Sequence, residues 1–163
     1  MKQTIIGAEY DVIVAGSGPS GMAAAVMAGR MGAKTLLIEW QGSVGGISTS
    51  GLMSHFTGTA DSALYREVLE RQAKHNPFCK EPTVVIDPEI LKIVYYEMLK
   101  EAGVTLLLYT FVCDVVMDGQ RVCGVVTEGK SGRVLYRAEA VVDATGDGDV
   151  AFLAGAEYCK GRE

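Results

Sequence analysis

The chain has 163 residues, 48% of them hydrophobic, and a net charge of −5, with Lys and Arg spread singly along its length. This length suits one domain, and the composition excludes a disordered chain. The lack of a basic run argues against nucleic acid or an anionic membrane surface as the main partner.

The first ten residues lack the apolar core of a signal peptide, and the longest uncharged apolar stretch, GMAAAVMAG, is too short to span a bilayer. The four cysteines, Cys79, Cys113, Cys123 and Cys159, form neither a CxxC pair nor a disulfide framework. With two histidines in the chain, no metal site of recognisable spacing is found. We therefore expect a cytoplasmic protein with reduced cysteines and no metal.

The first predicted unit is β-α-β. Residues 10–16 form a short apolar run that ends in glycine, which is typical of a buried parallel strand. A helix is predicted from about residue 19 to residue 31, because Pro19 suits a first helical turn and Gly32 suits a helix end. Residues 34–39 are the second predicted strand.

Two helices and a third strand follow. Residues 40–59 are rich in glycine and hydroxyl side chains without periodicity, which predicts an extended loop. Residues 61–75 have helical periodicity. A further helix is predicted after Asp87 as its N-cap, with Pro88 at its first position and Gly103 beyond its end. Residues 104–109 are predicted to be the third parallel strand.

The pattern then changes to short strands separated by turns. Residues 111–117, 121–129 and 133–140 predict an antiparallel meander, with turns at 118–119 and 129–132. The chain returns through AVVDATG, residues 140–146, as a fourth parallel strand beside the first. Together these elements predict an α/β fold.

Residues 16–21 fit the pattern GxGxxG. The first glycine permits a tight turn, the second lets the backbone approach a pyrophosphate, and the third lets helix and strand pack closely. A pyrophosphate would lie on free N–H groups at the helix N-terminus, where the helix dipole contributes about 0.3–1 kcal/mol per favourable charge. Because the pattern follows an apolar strand and opens a helix, it favours nucleotide binding over a plain turn.

Two further features bear on the ligand. Glu39 closes the second strand, where an acidic side chain accepts hydrogen bonds from a ribose diol and repels a 2′-phosphate, although a solvated carboxylate is the alternative. A glycine doublet, Gly45 and Gly46, and a second glycine-bearing strand end at residues 144–147 would bring more backbone to the same ligand.

The combination of GSGPSG, Glu39, VGG and DATGDGD resembles the FAD-dependent oxidoreductases of the glutathione-reductase-like superfamily, especially the branch of fumarate-reductase-type and heterodisulfide-reductase-A-like flavoproteins. The resemblance implies a Rossmann-like FAD/NAD(P)-binding domain, with helices on one face of a central parallel sheet and the meander crossover on the other. It also implies hydride or electron transfer through FAD held without a covalent bond, since residues 43–50 contain neither His nor Cys.

The resemblance also implies which residues hold FAD. They are Gly16, Gly18, Pro19, Ser20 and Gly21 at the pyrophosphate, Glu39 and Trp40 at the adenosine ribose, Gly45, Gly46 and Ser48 near the ribityl chain and ring, Val112 at the adenine, and Ala144, Thr145, Gly146 and Asp147 at the ribityl–pyrophosphate portion. One departure is that Ser43 and Ile47 stand where a common version of the doublet motif has arginines.

Several points stay open at the level of sequence. His55 is either an acid or base near the ring or a loop histidine, and no catalytic residue is predicted. Because the family usually continues into a substrate domain, we expect residues 1–163 to be an N-terminal FAD-binding fragment that lacks that domain and the C-terminal return segment. The substrate is an unidentified small molecule, and an oligomer or an electron-carrier partner stays open. The alternatives are an NAD-dependent dehydrogenase and a non-catalytic nucleotide-binding module.

Overall fold

The computed structural model describes residues 4–57, 62–78 and 80–161. The elements in chain order are β1 (Ile5–Ala15), α1 (Pro19–Arg30), β2 (Thr35–Ile38), a 3-10 turn (Gly46–Ser48), α2 (Ala63–His75), α3 (Pro88–Glu101), β3 (Thr105–Leu107), β4 (Phe111–Asp118), β5 (Arg121–Gly129), β6 (Gly132–Asp143) and α4 (Asp149–Leu153). The predicted elements are present in the predicted order, except that the last two predicted strands form a single strand, β6. Gly58 and Thr59 of the predicted loop, Asp61 of the predicted helix, and Cys79 lie outside the described residues.

The strands form one six-stranded sheet in the order β3-β2-β1-β6-β5-β4. β1 pairs in parallel with β2 and with β6, and β2 pairs in parallel with β3. β4, β5 and β6 pair antiparallel. The return strand therefore lies beside the first strand, as predicted, and the carboxyl ends of four parallel strands share one edge of the sheet.

The boundary between meander and return strand is different from the prediction. The sequence pattern predicts two strands, at residues 133–140 and 140–146, whereas the structure has one, β6, which pairs with β5 on one side and β1 on the other. β1 also begins five residues earlier than predicted, and its Ile5 pairs with Val134. A register shift between Ile6 and Glu9 disturbs the alternation there, so the early part of β1 lacks the pattern of a buried strand.

Each face of the parallel strands has its own hydrophobic core. Because successive strand residues point to opposite faces, Val14 and Leu37 pack with residues of α1, α2 and α3, while Ile13 and Leu36 face the other way. The second core includes Val112 and Val125 of the meander, with Ala138 of β6 and Val150 of α4. This packing confirms an α/β domain, with α1, α2 and α3 on one face of the parallel strands. The predicted division of helices and meander between the two faces is incomplete, because α4 packs with the meander residues on the other face.

The helix boundaries follow their capping residues. Asp87 Oδ1 accepts hydrogen bonds from the amides of Glu89 and Ile90 at 3.0 and 3.1 Å, so α3 begins at Pro88 as predicted. α1 ends one residue earlier than predicted, before Gly32 with φ of +88°. Ser62 Oγ accepts from the amide of Tyr65 at 3.1 Å and caps α2, which begins at Ala63.

Candidate nucleotide-binding site

A cleft of about 750 Å³ opens at the shared carboxyl edge of the parallel strands. The segments that follow β1, β2 and β6 all reach it, together with residues at the start of β4. The cleft is lined by these residues of the predicted set: Gly16, Gly18, Pro19, Ser20, Glu39, Trp40, Gly46, Val112, Ala144, Thr145, Gly146 and Asp147. Segments more than a hundred residues apart in sequence therefore meet at one surface. The other predicted residues, Gly21, Gly45 and Ser48, are not part of the lining.

The first and third glycines of the motif serve close packing between segments. Gly16 has φ of +94°, its amide donates to the carbonyl oxygen of Ile38 at 2.8 Å, and a Cβ there would lie 2.3 Å from the carbonyl oxygen of Ala144. A Cβ on Gly21 would lie 1.9 Å from the carbonyl oxygen of Gly16. Neither position has room for a side chain, so both glycines hold the turn against α1 and the return strand.

The second glycine has a different environment. Gly18 is the N-cap of α1 with φ of −60° and ψ of 179°, and a Cβ there would meet no heavy atom within 4 Å. Gly18 has no side chain that could cap this helix end, and Pro19 at the first helical position has no N–H. The N–H groups of a first helical turn have no partner within the helix. The start of α1 therefore presents backbone donors and open space to the cleft.

The glycine doublet packs against this turn. The amide of Gly45 donates to the carbonyl oxygen of Ser17 at 2.8 Å, and a Cβ on Gly46 would lie 3.0 Å from the Cα of Gly18. A Cβ on Gly45 would lie 2.4 Å from Cγ2 of Thr49, so Gly45 packs against Thr49 within the loop. Ser48 is 2% exposed and lies outside the cleft lining. Its predicted hydroxyl contact is therefore not placed at the cleft, where Ser50 lies instead.

Glu39 is buried and hydrogen-bonded, which contradicts the alternative of a solvated carboxylate. It is 4% exposed, and its Oε2 accepts from the amide and the hydroxyl of Ser17 at 2.9 and 2.6 Å. Its Oε1 accepts from the amide of Gln41 at 2.7 Å. A carboxylate has about four acceptor positions, so about one remains, on Oε1. Glu39 thus ties the end of β2 to the glycine turn and keeps a limited capacity for a ligand.

Asp143 organises the second glycine-bearing strand end. Its Oδ1 accepts from the amide and the hydroxyl of Thr145 at 3.1 and 2.7 Å, and its Oδ2 accepts from the amide of Ala151 at 2.9 Å. Thr145 Oγ1 in turn accepts from the amide of Asp149 at 2.9 Å. Burial raises the pKa of Asp143, but the hydrogen bonds from Ala151 and Thr145 outweigh it and hold the pKa below its ordinary value. The carboxylate is thus the anchor of residues 144–147.

Gly146 reaches the same cleft as Gly18. It has φ of +92°, and a Cβ there would meet no heavy atom within 4 Å. A single ligand can contact both strand ends only if Gly18 and Gly146 lie on the same surface, and both line this cleft. In the part of the chain that the structure describes, no group of three or more His, Cys, Asp or Glu side chains is arranged to hold a metal ion.

Some cleft residues were not predicted. Ser17 is fully buried and bonds Glu39, and Phe111, 53% exposed, lines the cleft next to the predicted Val112. Gln41 also lines it. No sequence signal singles these residues out, apart from their position beside predicted ones. His55 is exposed, lies within 3.1 Å of Ser54 Oγ through Nδ1 and is not in the cleft lining, which favours a loop histidine.

None of the helices within residues 4–57, 62–78 and 80–161 has the length and apolar character needed to cross a bilayer.

Most of the chain is similar to known proteins. The family model described as FAD dependent oxidoreductase matches residues 11–163. Digeranylgeranylglycerophospholipid reductase 2 of Methanopyrus kandleri is 31% identical over 150 residues, which cover 85% of this chain and 38% of that protein. Thiamine thiazole synthase of Pyrococcus abyssi is 31% identical over 149 residues, which cover 86% of this chain and 58% of that protein.

A solved structure agrees in fold. The structure of Thermovibrio ammonificans THI4 superposes with a TM-score of 0.67 at 26% identity, covering 89% of this chain and 61% of that one. The chain thus spans between about two fifths and three fifths of the length of the relatives named here. These matches confirm the predicted resemblance to flavin-dependent oxidoreductases, the Rossmann-like fold and FAD as the cofactor, and they do not favour the NAD-dependent alternative.

Proposed function

Because the chain belongs to the FAD dependent oxidoreductase family, we propose that residues 1–163 form the FAD-binding part of a flavin-dependent oxidoreductase that acts on a small molecule. The observation that carries this proposal is the convergence of three separate segments, around Gly18, Glu39 and Gly146, on one cleft. Its volume of about 750 Å³ lies within the range of about 300–1,000 Å³ typical of small-molecule sites.

The residues of the cleft fit an anionic dinucleotide. The first turn of α1 offers uncapped amides and the positive end of the helix dipole to a pyrophosphate, and Gly18 leaves open space in front of them. Glu39 accepts a ribose hydroxyl through its remaining acceptor position on Oε1. Gly46 and residues 144–147 contact the adjoining part of the cofactor through backbone. We assign these contacts as the proposed cofactor site, with Trp40 and Val112 at the adenosine end.

The protein's own contribution is to bind and orient. When bound, FAD supplies the electron-carrying ring for the redox reaction. The Ser17–Glu39 bonds hold the glycine turn in register with β2, and the Asp143–Thr145 bonds hold the return strand end. Both anchors fix backbone donors before the ligand arrives, which lowers the ordering cost of binding.

The cellular compartment and the partners of the protein are proposals as well. We propose that it works in the cytoplasm with its thiols reduced, since the spacing of its cysteines in the sequence fits neither a CxxC pair nor a disulfide framework. The acceptor of the electrons is a second substrate or an electron-carrier partner, and self-association into an oligomer is a further proposal. The absence of a basic run in the sequence supports a small-molecule substrate over nucleic acid.

The test is a visible spectrum of the purified chain, followed by heat release and identification of the bound cofactor. A yellow protein that releases FAD supports the proposal. A colourless protein that binds NADH and takes up no added FAD would overturn it in favour of a nicotinamide enzyme. Bound flavin that no electron donor reduces would instead indicate a non-catalytic nucleotide-binding module.

A further inference from the structure

Tyr109, between β3 and β4, has a backbone conformation that its residue type disfavours. Its φ is +52°, and Leu52, with φ of +55°, is the other non-glycine residue with positive φ in the described part of the chain. A bulky residue in this left-handed region costs free energy, so it persists only where surrounding contacts hold it, and such residues cluster at functional sites. Tyr109 is 70% exposed, so burial in a core does not explain its conformation.

Backbone hydrogen bonds hold Tyr109 against the segment that follows β2. Its amide donates to the carbonyl oxygen of Gln41 at 3.1 Å, and the amide of Thr110 donates to the carbonyl oxygen of Glu39 at 3.0 Å. The amide of Glu39 donates to the carbonyl oxygen of Leu107 at 2.8 Å. The two segments therefore stay paired beyond the ends of β2 and β3, and the turn at Tyr109 leads the chain from this pairing into β4.

The ring of Tyr109 lies against Gly42. A Cβ on Gly42 would be 2.1 Å from the tyrosine hydroxyl oxygen, 2.4 Å from Cζ and 2.8 Å from Cε1. Gly42 does not have a positive φ, so the backbone conformation does not require glycine at this position. What the glycine provides is the space that the ring occupies. Tyr109 therefore contacts residues 39–42 through both its backbone and its side chain.

The two segments that Tyr109 holds together line the same cleft. Glu39, Trp40 and Gln41 line it from the segment after β2, and residues 110–112 line it from the start of β4. These residues include those that we place at the adenosine half of the cofactor. Tyr109 itself is not part of the lining, so it acts on a ligand through these neighbours.

We propose that Tyr109 is a positioning residue for the adenosine half of the cofactor. Its left-handed backbone turns residues 110–112 toward the cleft, and its ring on Gly42 holds the segment that carries Glu39 and Trp40 beside them. This inference rests on the proposed function. Because this end of the cleft is fixed before the ligand arrives, binding requires less ordering of the chain.

The test uses Tyr109→Gly, which accepts a positive φ and removes the ring. Without the ring, residues 39–42 have to be ordered when the ligand binds. We expect FAD affinity, measured by quenching of flavin fluorescence, to fall about 5- to 30-fold, which corresponds to about 1–2 kcal/mol for ordering one residue. Affinity for ADP, which lacks the flavin, should fall by the same factor when measured by displacement of FAD. Tyr109→Phe keeps the ring and should retain most of the FAD affinity.

A second variant and a matched control complete the test. Gly42→Ala displaces the ring and leaves Tyr109 in place, so FAD affinity should fall in the same range. Leu52→Gly is the control, because Leu52 also has a positive φ, is also 70% exposed and lies outside the cleft lining. It should bind FAD as the wild type does. In both glycine variants, relief of the positive φ offsets the greater freedom of the unfolded chain, so neither should unfold at a lower urea concentration than the wild type.

The outcomes separate this inference from the proposed function. Wild-type FAD affinity in either Tyr109→Gly or Gly42→Ala would overturn the inference. Unchanged ADP affinity beside a lowered FAD affinity would overturn it too, because the loss would then lie at the flavin end. An equal loss in Leu52→Gly would show that the loss is not specific to Tyr109. In these cases the wild-type chain still binds FAD and the proposed function stands, whereas failure of the wild-type chain to bind FAD would overturn both.

Discussion

Replacing Gly18 with alanine should separate cofactor binding from folding. The backbone at Gly18, with φ of −60° and ψ of 179°, suits alanine, and a Cβ there would meet no heavy atom within 4 Å. The smaller freedom of the unfolded chain favours alanine by about 0.4–1 kcal/mol. Alanine is a poorer N-cap than glycine by a similar amount. The two effects offset each other, so the free energy of unfolding should change by less than about 1 kcal/mol.

Binding should respond far more strongly. The new methyl group would occupy the space in front of the first-turn amides of α1, where we place the pyrophosphate. Forcing one extra carbon into a close contact costs about 1–3 kcal/mol. Since about 1.4 kcal/mol is a factor of ten, FAD affinity should fall by about 5- to 150-fold.

The assay pairs FAD titration, followed by flavin fluorescence, with urea unfolding of the ligand-free protein. Gly21→Ala is the matched control, because a Cβ there would lie 1.9 Å from the carbonyl oxygen of Gly16 and should destabilise the fold itself. Wild-type FAD affinity in a folded Gly18→Ala protein would refute the proposed position of the pyrophosphate.

Further predictions concern three carboxylates. The pKa of Asp143 is lowered on folding, so its carboxylate contributes stability above its ordinary pKa of about 4 that is lost as the pH falls through the lower folded value. Asp143→Asn should thus be less stable than wild type in urea at pH 7, and a gap that fails to narrow below about pH 4 would contradict this. Glu39→Gln places a buried amide N–H₂ group against the amide N–H of Ser17 or of Gln41, so two donors face each other. The free energy of unfolding in urea should fall by about 1–3 kcal/mol. Wild-type stability of this variant would disprove the reasoning. Glu67→Gln weakens two partly exposed bridges, to Arg30 at 2.6 Å and to Arg71 at 2.8 Å, so thermal unfolding should show a loss of at most about 2 kcal/mol, about 1 kcal/mol for each pair. A loss that does not shrink near 1 M salt would contradict an electrostatic origin.

Features that depend on local backbone requirements could be predicted from the sequence. Gly16 and Gly32 stand where the chain needs positive φ, and Asp87 caps a helix that begins with proline. The first of these glycines marks the start of the turn where we propose that the pyrophosphate binds. Glu39 could be placed from its spacing because strand and helix lengths in a β-α-β unit vary little. Residue type and order along the chain are sufficient for features of this kind.

Features that depend on contacts between distant segments could not be predicted. Residues 132–143 form one strand because β1 pairs with them from Ile5 onward. The early part of β1 could not be recognised from the sequence, because its register is irregular. The direction of each loop side chain is also decided by its neighbours. The backbone of Gly45 packs against Thr49, and the side chain of Ser48 is buried away from the cleft. Their residue types nevertheless match those of a cofactor loop.

The sequence by itself therefore determined the fold class, the family and the segments that meet at the carboxyl edge. Only the tertiary structure decided which side chains reach the cleft and how many hydrogen bonds each still has to offer. Ser17, 22 residues away, takes two of the about four acceptor positions of the Glu39 carboxylate, and the Oε1 of Gln41 is buried without a partner among the described residues. The physical reason is that burial and hydrogen-bond partners are properties of packed segments, whereas turn geometry and helix capping are properties of a few consecutive residues.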